Sequence, residues 1–362
     1  MCRLRSNNVL LRYSMANDMS EAIYPWQQED WGRLQRLRDR LPHAILFHGA
    51  QCIGKLGFAE QFAQSVLCES PLEGGYACSE CASCGWFSQY GHPDYRRVRP
   101  EILDIDSMQD EGESEEGANK KSTASKTPSK EIRIEQVRSL AGFMNVSTHR
   151  SGLRVVLLYP AEALNSASAN ALLKTLEEPP PGTLFILVSH RPDRLLPTIL
   201  SRCRKFHLSL PSAEDALAWL NDNEVSDPAQ WLALHGGAPL AALMAAEDDS
   251  AGDRELLLGL LAKPDAAHIL TVAERLQKTP IPLLVAWQQR WLYDLFSLKL
   301  SGRVRYYPQH QPRLKVIADR LSADRLQQAL RDANNRRAVA DHSLSARLFI
   351  EDMLLAYLSL FS

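Results

Sequence analysis

The feature that most constrains this chain is the run Ala44-Ile45-Leu46-Phe47-His48, which leads straight into Gly49-Ala50-Gln51-Cys52-Ile53-Gly54-Lys55-Leu56. A short continuous apolar run reads as a strand buried on both faces. Two glycines and a lysine in this spacing let backbone N–H groups converge on an anion, and Lys55 to Leu67 carries a helical pattern. Two further runs, Arg154 to Tyr159 and Leu184 to Val188, are continuous rather than alternating, as parallel strands covered on both faces are. Between them, Ser168 to Glu178 reads as a helix stopped by Pro179-Pro180-Pro181. The order β-α-β-α-β predicts a doubly wound parallel sheet of the α/β class.

Gly49, Gly54 and Lys55 fit the phosphate-loop pattern, but the next position, which should offer a hydroxyl to magnesium, holds Leu56. The second strand of a working NTPase should end on an acidic pair. Here it ends on Tyr159-Pro160, and neither side chain can ligate a hard cation or accept a proton. Glu162 follows, and a lone glutamate in such a loop reads as exposed. The loop therefore points to nucleotide-binding ancestry with the parts for phosphoryl transfer missing.

Four of the seven cysteines crowd into Cys68, Cys78, Cys81 and Cys84, spaced Cys-x9-Cys-x2-Cys-x2-Cys. Soft thiolates in that spacing suit a closed tetrahedral zinc site with no open position, hence a structural one, and an iron–sulfur cluster is the chemical rival. The stretch 1–20 has Arg3, Arg5 and Arg12 but no apolar run of signal length, so it reads as a disordered extension or a misplaced start. No run approaches the ~18–20 apolar residues of a membrane span. Together these imply a soluble cytoplasmic protein in a reducing compartment, without a membrane partner.

The 362 residues predict two or three domains. From Glu101 to Glu116 there are eight acidic residues and no basic ones, and about 104–130 reads as a disordered insertion. Beyond 208 strand signals vanish; 208–250 reads as a small helical region and 251–362 as a helical bundle. Lys and Arg number 41 against 43 Asp and Glu, a net charge of −2. Proteins that grip DNA alone usually carry a basic excess, so any role on nucleic acid is shared with partners, and a zinc-bearing DNA-binding module is disfavoured.

Several motifs occur in order: Tyr24-Pro25-Trp26, the Gly49 to Leu56 loop, the four cysteines, Gly91-His92-Pro93-Asp94, Ile134 to Arg138, Asn170 to Pro179 and Ser201-Arg202-Cys203. The set resembles the delta-prime family of clamp-loader subunits in bacterial DNA polymerase III, AAA+ proteins, over roughly residues 21–207. The resemblance implies an AAA+ base domain at 21–207 with a zinc module inserted at 68–84, a helical lid at 208–250 and an oligomerising helical collar at 251–362 in a five-membered ring. It implies gamma/tau and delta subunits as partners, and the sliding clamp and primed DNA through the complex, which as a whole is a DNA-directed DNA polymerase. The localisation it implies is cytoplasmic, at the replisome on the bacterial nucleoid. The ATP-hydrolysing gamma/tau sister carries a hydroxyl after the loop lysine, an acidic pair after the second strand and a lid arginine. This chain has Leu56, Tyr159-Pro160 and Leu240 there, which implies an ATPase-inactive subunit that is not expected to hold ATP. An active gamma/tau-type ATPase is the alternative. In the family the arginine of Ser-Arg-Cys faces a neighbour's nucleotide, so Arg202 is implied to act in trans, exposed on a face of the base domain.

Overall fold

The computed structural model describes residues 23–103, 128–149, 152–248, 250–340 and 345–361. The stretch 1–20 and nearly all of 104–130 lie outside the described residues. The chain divides into two compact units, Met1–Asp215 and Ala216–Ser362.

The first unit is built on five parallel strands in the order β2-β3-β4-β1-β5: β1 Ala44–His48, β2 Tyr95–Val98, β3 Arg154–Leu158, β4 Thr183–Ser189 and β5 Arg204–His207. The three strands read from sequence form its centre. Side chains alternate across the pleat. Ile45, Phe47, Val155, Leu157, Leu184, Ile186 and Val188 face one core, which includes Trp31 of α1 (Gln28–Gln35) and Phe58 and Phe62 of α2 (Lys55–Leu67). Ala44, Leu46, Val156, Leu158, Phe185 and Leu187 face the other. That second core is closed by α4 (Ile134–Asn145), α5 (Ser166–Glu177) and α6 (Pro197–Arg202). Both faces of the sheet are covered, which is why the central strands tolerate no polar alternation. A short helix α3, Ala82–Ser88, lies between α2 and β2 in the chain.

The division between units falls within α7, Ala213–Asp222. The second unit contains no strand among its described residues. α8 (Pro228–Leu234) and α9 (Pro239–Ala246) share a small core of Ala216, Leu220, Val225, Leu232 and Ala242. A larger core is formed by α10 (Ala251–Ala262), α11 (Ile269–Leu276), α12 (Ile281–Ser301), α13 (Gln311–Arg320), α14 (Ala323–Val339) and α15 (Ala346–Leu358). Buried Asp294 ties the loop before α13 by accepting backbone N–H bonds from Arg305, Tyr306 and Tyr307.

Candidate functional site

The glycine loop joins β1 to α2 as its pattern predicts. Gly54 caps α2 at φ +84°, a conformation costly for other residues. A Cβ there would stand 2.5 Å from the Tyr24 ring, and one on Gly49 would stand 2.2 Å from the Leu208 carbonyl oxygen. Close packing alone thus demands both glycines. Tyr24 stacks on Trp26 with centroids 4.7 Å apart. Trp26 Nε1 and Gln27 Nε2 donate to the Ile53 carbonyl at 3.1 and 2.9 Å, so this segment lies across the loop.

Lys55 is 1% exposed, and its ammonium donates to the Ala50 carbonyl of its own loop. Burial pushes its pKa down to about 8, with Cys52 and Glu162 opposing. The Cys52 thiol is pushed up to about 12, also by burial. Leu56, where a hydroxyl would serve magnesium, is packed in the core. Tyr159, after β3, places its hydroxyl 3.1 Å from His190 Nε2.

Glu162 corrects the sequence reading. It is not simply exposed: Oε1 accepts the His190 backbone N–H at 3.0 Å, while Oε2 is buried without a hydrogen-bond partner. His190, directly after β4, comes back beside Glu162, a tertiary closeness that a reading of local composition misses. His190 is likewise enclosed, and burial, then Lys55, drives its pKa far below the usual imidazole range.

The structure brings all four predicted cysteines together. Their sulfurs lie within 4.8 Å of one another, with Cys68–Cys78, Cys68–Cys81 and Cys78–Cys84 at 3.5, 3.9 and 4.0 Å. A tetrahedron of thiolates with ion–sulfur bonds of about 2.3 Å has edges of about 3.8 Å, so the cluster fits a metal ion. Backbone N–H groups of Cys78, Cys81 and Cys84 donate to the sulfurs of Cys68, Cys78 and Cys81. Donation from the Glu80 and Cys81 backbone pulls the Cys78 thiol down to about 6, towards the thiolate a metal needs, while burial pushes Cys68 and Cys84 up.

His92 of the Gly-His-Pro-Asp motif supports this cluster from behind. Ser83 Oγ donates to the Leu67 carbonyl at 2.6 Å, so the 2.7 Å contact with His92 Nε2 needs the proton on that nitrogen. The bare Nδ1 then accepts the Asp94 N–H at 3.0 Å. A neutral, fully engaged imidazole therefore locks Leu67 and Ser83, the neighbours of Cys68 and Cys84.

Arg202 is the last residue of α6. Its side chain is 33% exposed rather than freely projecting, paired with Glu177 at 2.6 Å and donating to the Thr198 carbonyl at 3.0 Å. Leu240 is buried in α9.

A family profile described as "DNA polymerase III, delta subunit" matches residues 27–212, just over half of the chain. The DNA polymerase III subunit delta' of Pseudomonas aeruginosa is 38% identical over 287 residues, covering 77% of this chain and 79% of that one. The chain belongs to the delta' family of DNA polymerase III clamp-loader subunits. The Escherichia coli (strain K12) delta' subunit is 29% identical over 92% of this chain and 94% of its own length, and that of Yersinia pestis 32% identical over 81% and 82%. This delta' family member thus carries a glycine loop between β1 and α2, a metal-competent cysteine cluster between the end of α2 and α3, and the Ser-Arg-Cys arginine at the end of α6. No helix among its described residues is long and apolar enough to cross a membrane.

Proposed function

We propose that the chain is an ATPase-inactive subunit of the replicative clamp loader. It helps load the sliding clamp onto primed DNA and presents Arg202 to the nucleotide of a neighbouring ATPase subunit. The observation that carries the first half is Lys55 turned onto the Ala50 carbonyl of its own loop, under a lid of Tyr24, Trp26 and Gln27. With Leu56 in the core and Tyr159-Pro160 after β3, the hydroxyl and the acidic pair that seat magnesium and orient water in a working NTPase are missing from their positions. Arg202 keeps about a third of its side chain in solvent and is held by the Glu177 carboxylate, the Thr198 carbonyl and the Ser201 hydroxyl, contacts that a phosphate can replace. The four cysteines would hold structural Zn2+, which fixes the segment from Cys68 to α3 without entering any reaction.

In this reading the AAA+ base at 21–207 and lid at 208–250 are followed by the collar at 251–362, which assembles with gamma/tau and delta in the cytoplasm at the replisome. Mixing the purified chain with gamma/tau and delta should give one stable complex, while the chain alone should turn over ATP no faster than a blank. Magnesium-dependent turnover abolished by Lys55→Ala would instead establish the gamma/tau-type ATPase.

A further inference from the structure

Arg202 and Glu177 meet from two helices that are both anchored in the second core of the sheet. Glu177 is the last residue of α5, directly after Leu176, which is buried. Arg202 is the last residue of α6, between buried Ile199 and buried Cys203. The backbones are therefore held, and only the two side chains have freedom. Arg202 spends that freedom on its own unit: Nη2 donates to Glu177 Oε1 at 2.6 Å, while Nη1 donates to the Thr198 carbonyl one turn back at 3.0 Å and to Ser201 Oγ at 3.4 Å.

Helix stability does not explain the carboxylate. The C-terminal end of a helix is the negative end of its dipole, and Glu177 stands there with Glu178 next to it, where acidic side chains cost stability. What a carboxylate does offer is the chemistry of a phosphate oxygen, a charged acceptor that takes a short bond from a guanidinium. The two compete for the same group, because a guanidinium bonded to Glu177 and to the turn behind it cannot at the same time reach a neighbouring chain.

We propose that Glu177 is a latch for Arg202: it holds the guanidinium against the chain's own surface and yields it when a neighbouring subunit brings a nucleotide phosphate. The latch rests on the trans role of Arg202 given above, and Glu177 is a positioning residue that acts through it. Exposure sets its strength. With 49% of the Glu177 side chain and 33% of the Arg202 side chain in solvent, the pair is screened and opens readily, and release is a rotamer change without backbone movement.

The test is ATP titration of DNA-stimulated turnover in the complex reconstituted with gamma/tau and delta, with the parent chain and with Glu177→Gln, which keeps the size and removes the charge. A latch opposes the nucleotide only until the arginine has moved. The ATP concentration at half-maximal turnover should therefore fall, by up to about five-fold for a screened ion pair, with turnover at saturation unchanged. The difference should close as salt is raised. On an Arg202→Ala background Glu177→Gln should change nothing further. A half-maximal concentration that stays at the parental value, as a purely structural pair would leave it, overturns the proposal. So does a lower turnover at saturation, which would make Glu177 a guide that aims the arginine. The underlying reading fails by a separate sign: Arg202→Ala at parental turnover and parental half-maximal ATP removes the trans arginine, and the latch with it.

Discussion

The glycine loop and the cysteine cluster sit at opposite ends of α2, and both match a ligand motif, yet their side chains do opposite things. At the loop, Lys55 is satisfied by the protein's own carbonyl and Tyr24 fills the space beside Gly54. At the cluster, four sulfurs converge within 4.8 Å of one another, the spacing that a bound ion requires. A motif specifies a backbone shape; whether it handles a ligand depends on whether the fold satisfies the same atoms internally.

Metal removal should produce the largest effect. One zinc equivalent should co-purify, and Cys81→Ser should release it and lower the melting temperature of the chain by about 10 °C or more. Structural zinc contributes on the order of 10 kcal/mol in isolated fingers, of which a folded unit need lose only part. Iron in the metal analysis, or four titratable thiols with no metal, would sink the assignment.

Next comes Arg202→Ala in the reconstituted complex. Total DNA-stimulated ATP hydrolysis should fall at least by the share of the one site that would lose a trans arginine, and several-fold where the sites of the ring fire in concert. The isolated chain should lose no more than about 1 kcal/mol, the usual range for a solvent-screened ion pair such as that with Glu177. Clamp loading at the parental rate would leave Arg202 as a surface residue of α6.

A smaller effect sharpens the loop side of the comparison. The folded pKa of Lys55 is about 8, below the ordinary 10.5. Below pH 8 the lysine is charged folded and unfolded, and its burial cost is fully present. Between pH 8 and 10.5 the unfolded chain binds the extra proton, so this group's contribution to stability rises with pH. Lys55→Met lacks that dependence, and its stability relative to the parent should therefore decline by about 1–2 kcal/mol from pH 8 to pH 9.5. Parallel denaturation curves across that window would show that the ammonium is solvated. The smallest expected effect is none: ATP turnover of the isolated chain should stay at blank with or without Lys55→Ala.

Much of this was legible in sequence where burial is two-sided. β1, β3 and β4 are central strands and read as unbroken apolar runs. β2 (Tyr-Arg-Arg-Val) and β5 (Arg-Lys-Phe-His) carry no apolar run that marks a strand, because they lie at the edges of the sheet and leave Arg96, Arg204 and Lys205 exposed. The cysteine cluster was legible because its ligands are close in sequence. The pairing of Arg202 with Glu177, and the enclosure of Glu162 beside His190, join residues 25 and 28 positions apart through the sheet, and no local pattern announces them.

The helix between the two motifs has a mechanical meaning. α2 runs 13 residues, a rod of about 20 Å, from Lys55 to Leu67, and Cys68 follows it directly. Ser83 clamps its last carbonyl, while Tyr24, Trp26 and Gln27 brace the glycine loop at its start. A rod fixed at both ends is a strut. A push on the cysteine module is carried along it to the central strand β1, and the loop whose lysine answers only to its own backbone is the footing on which that load rests.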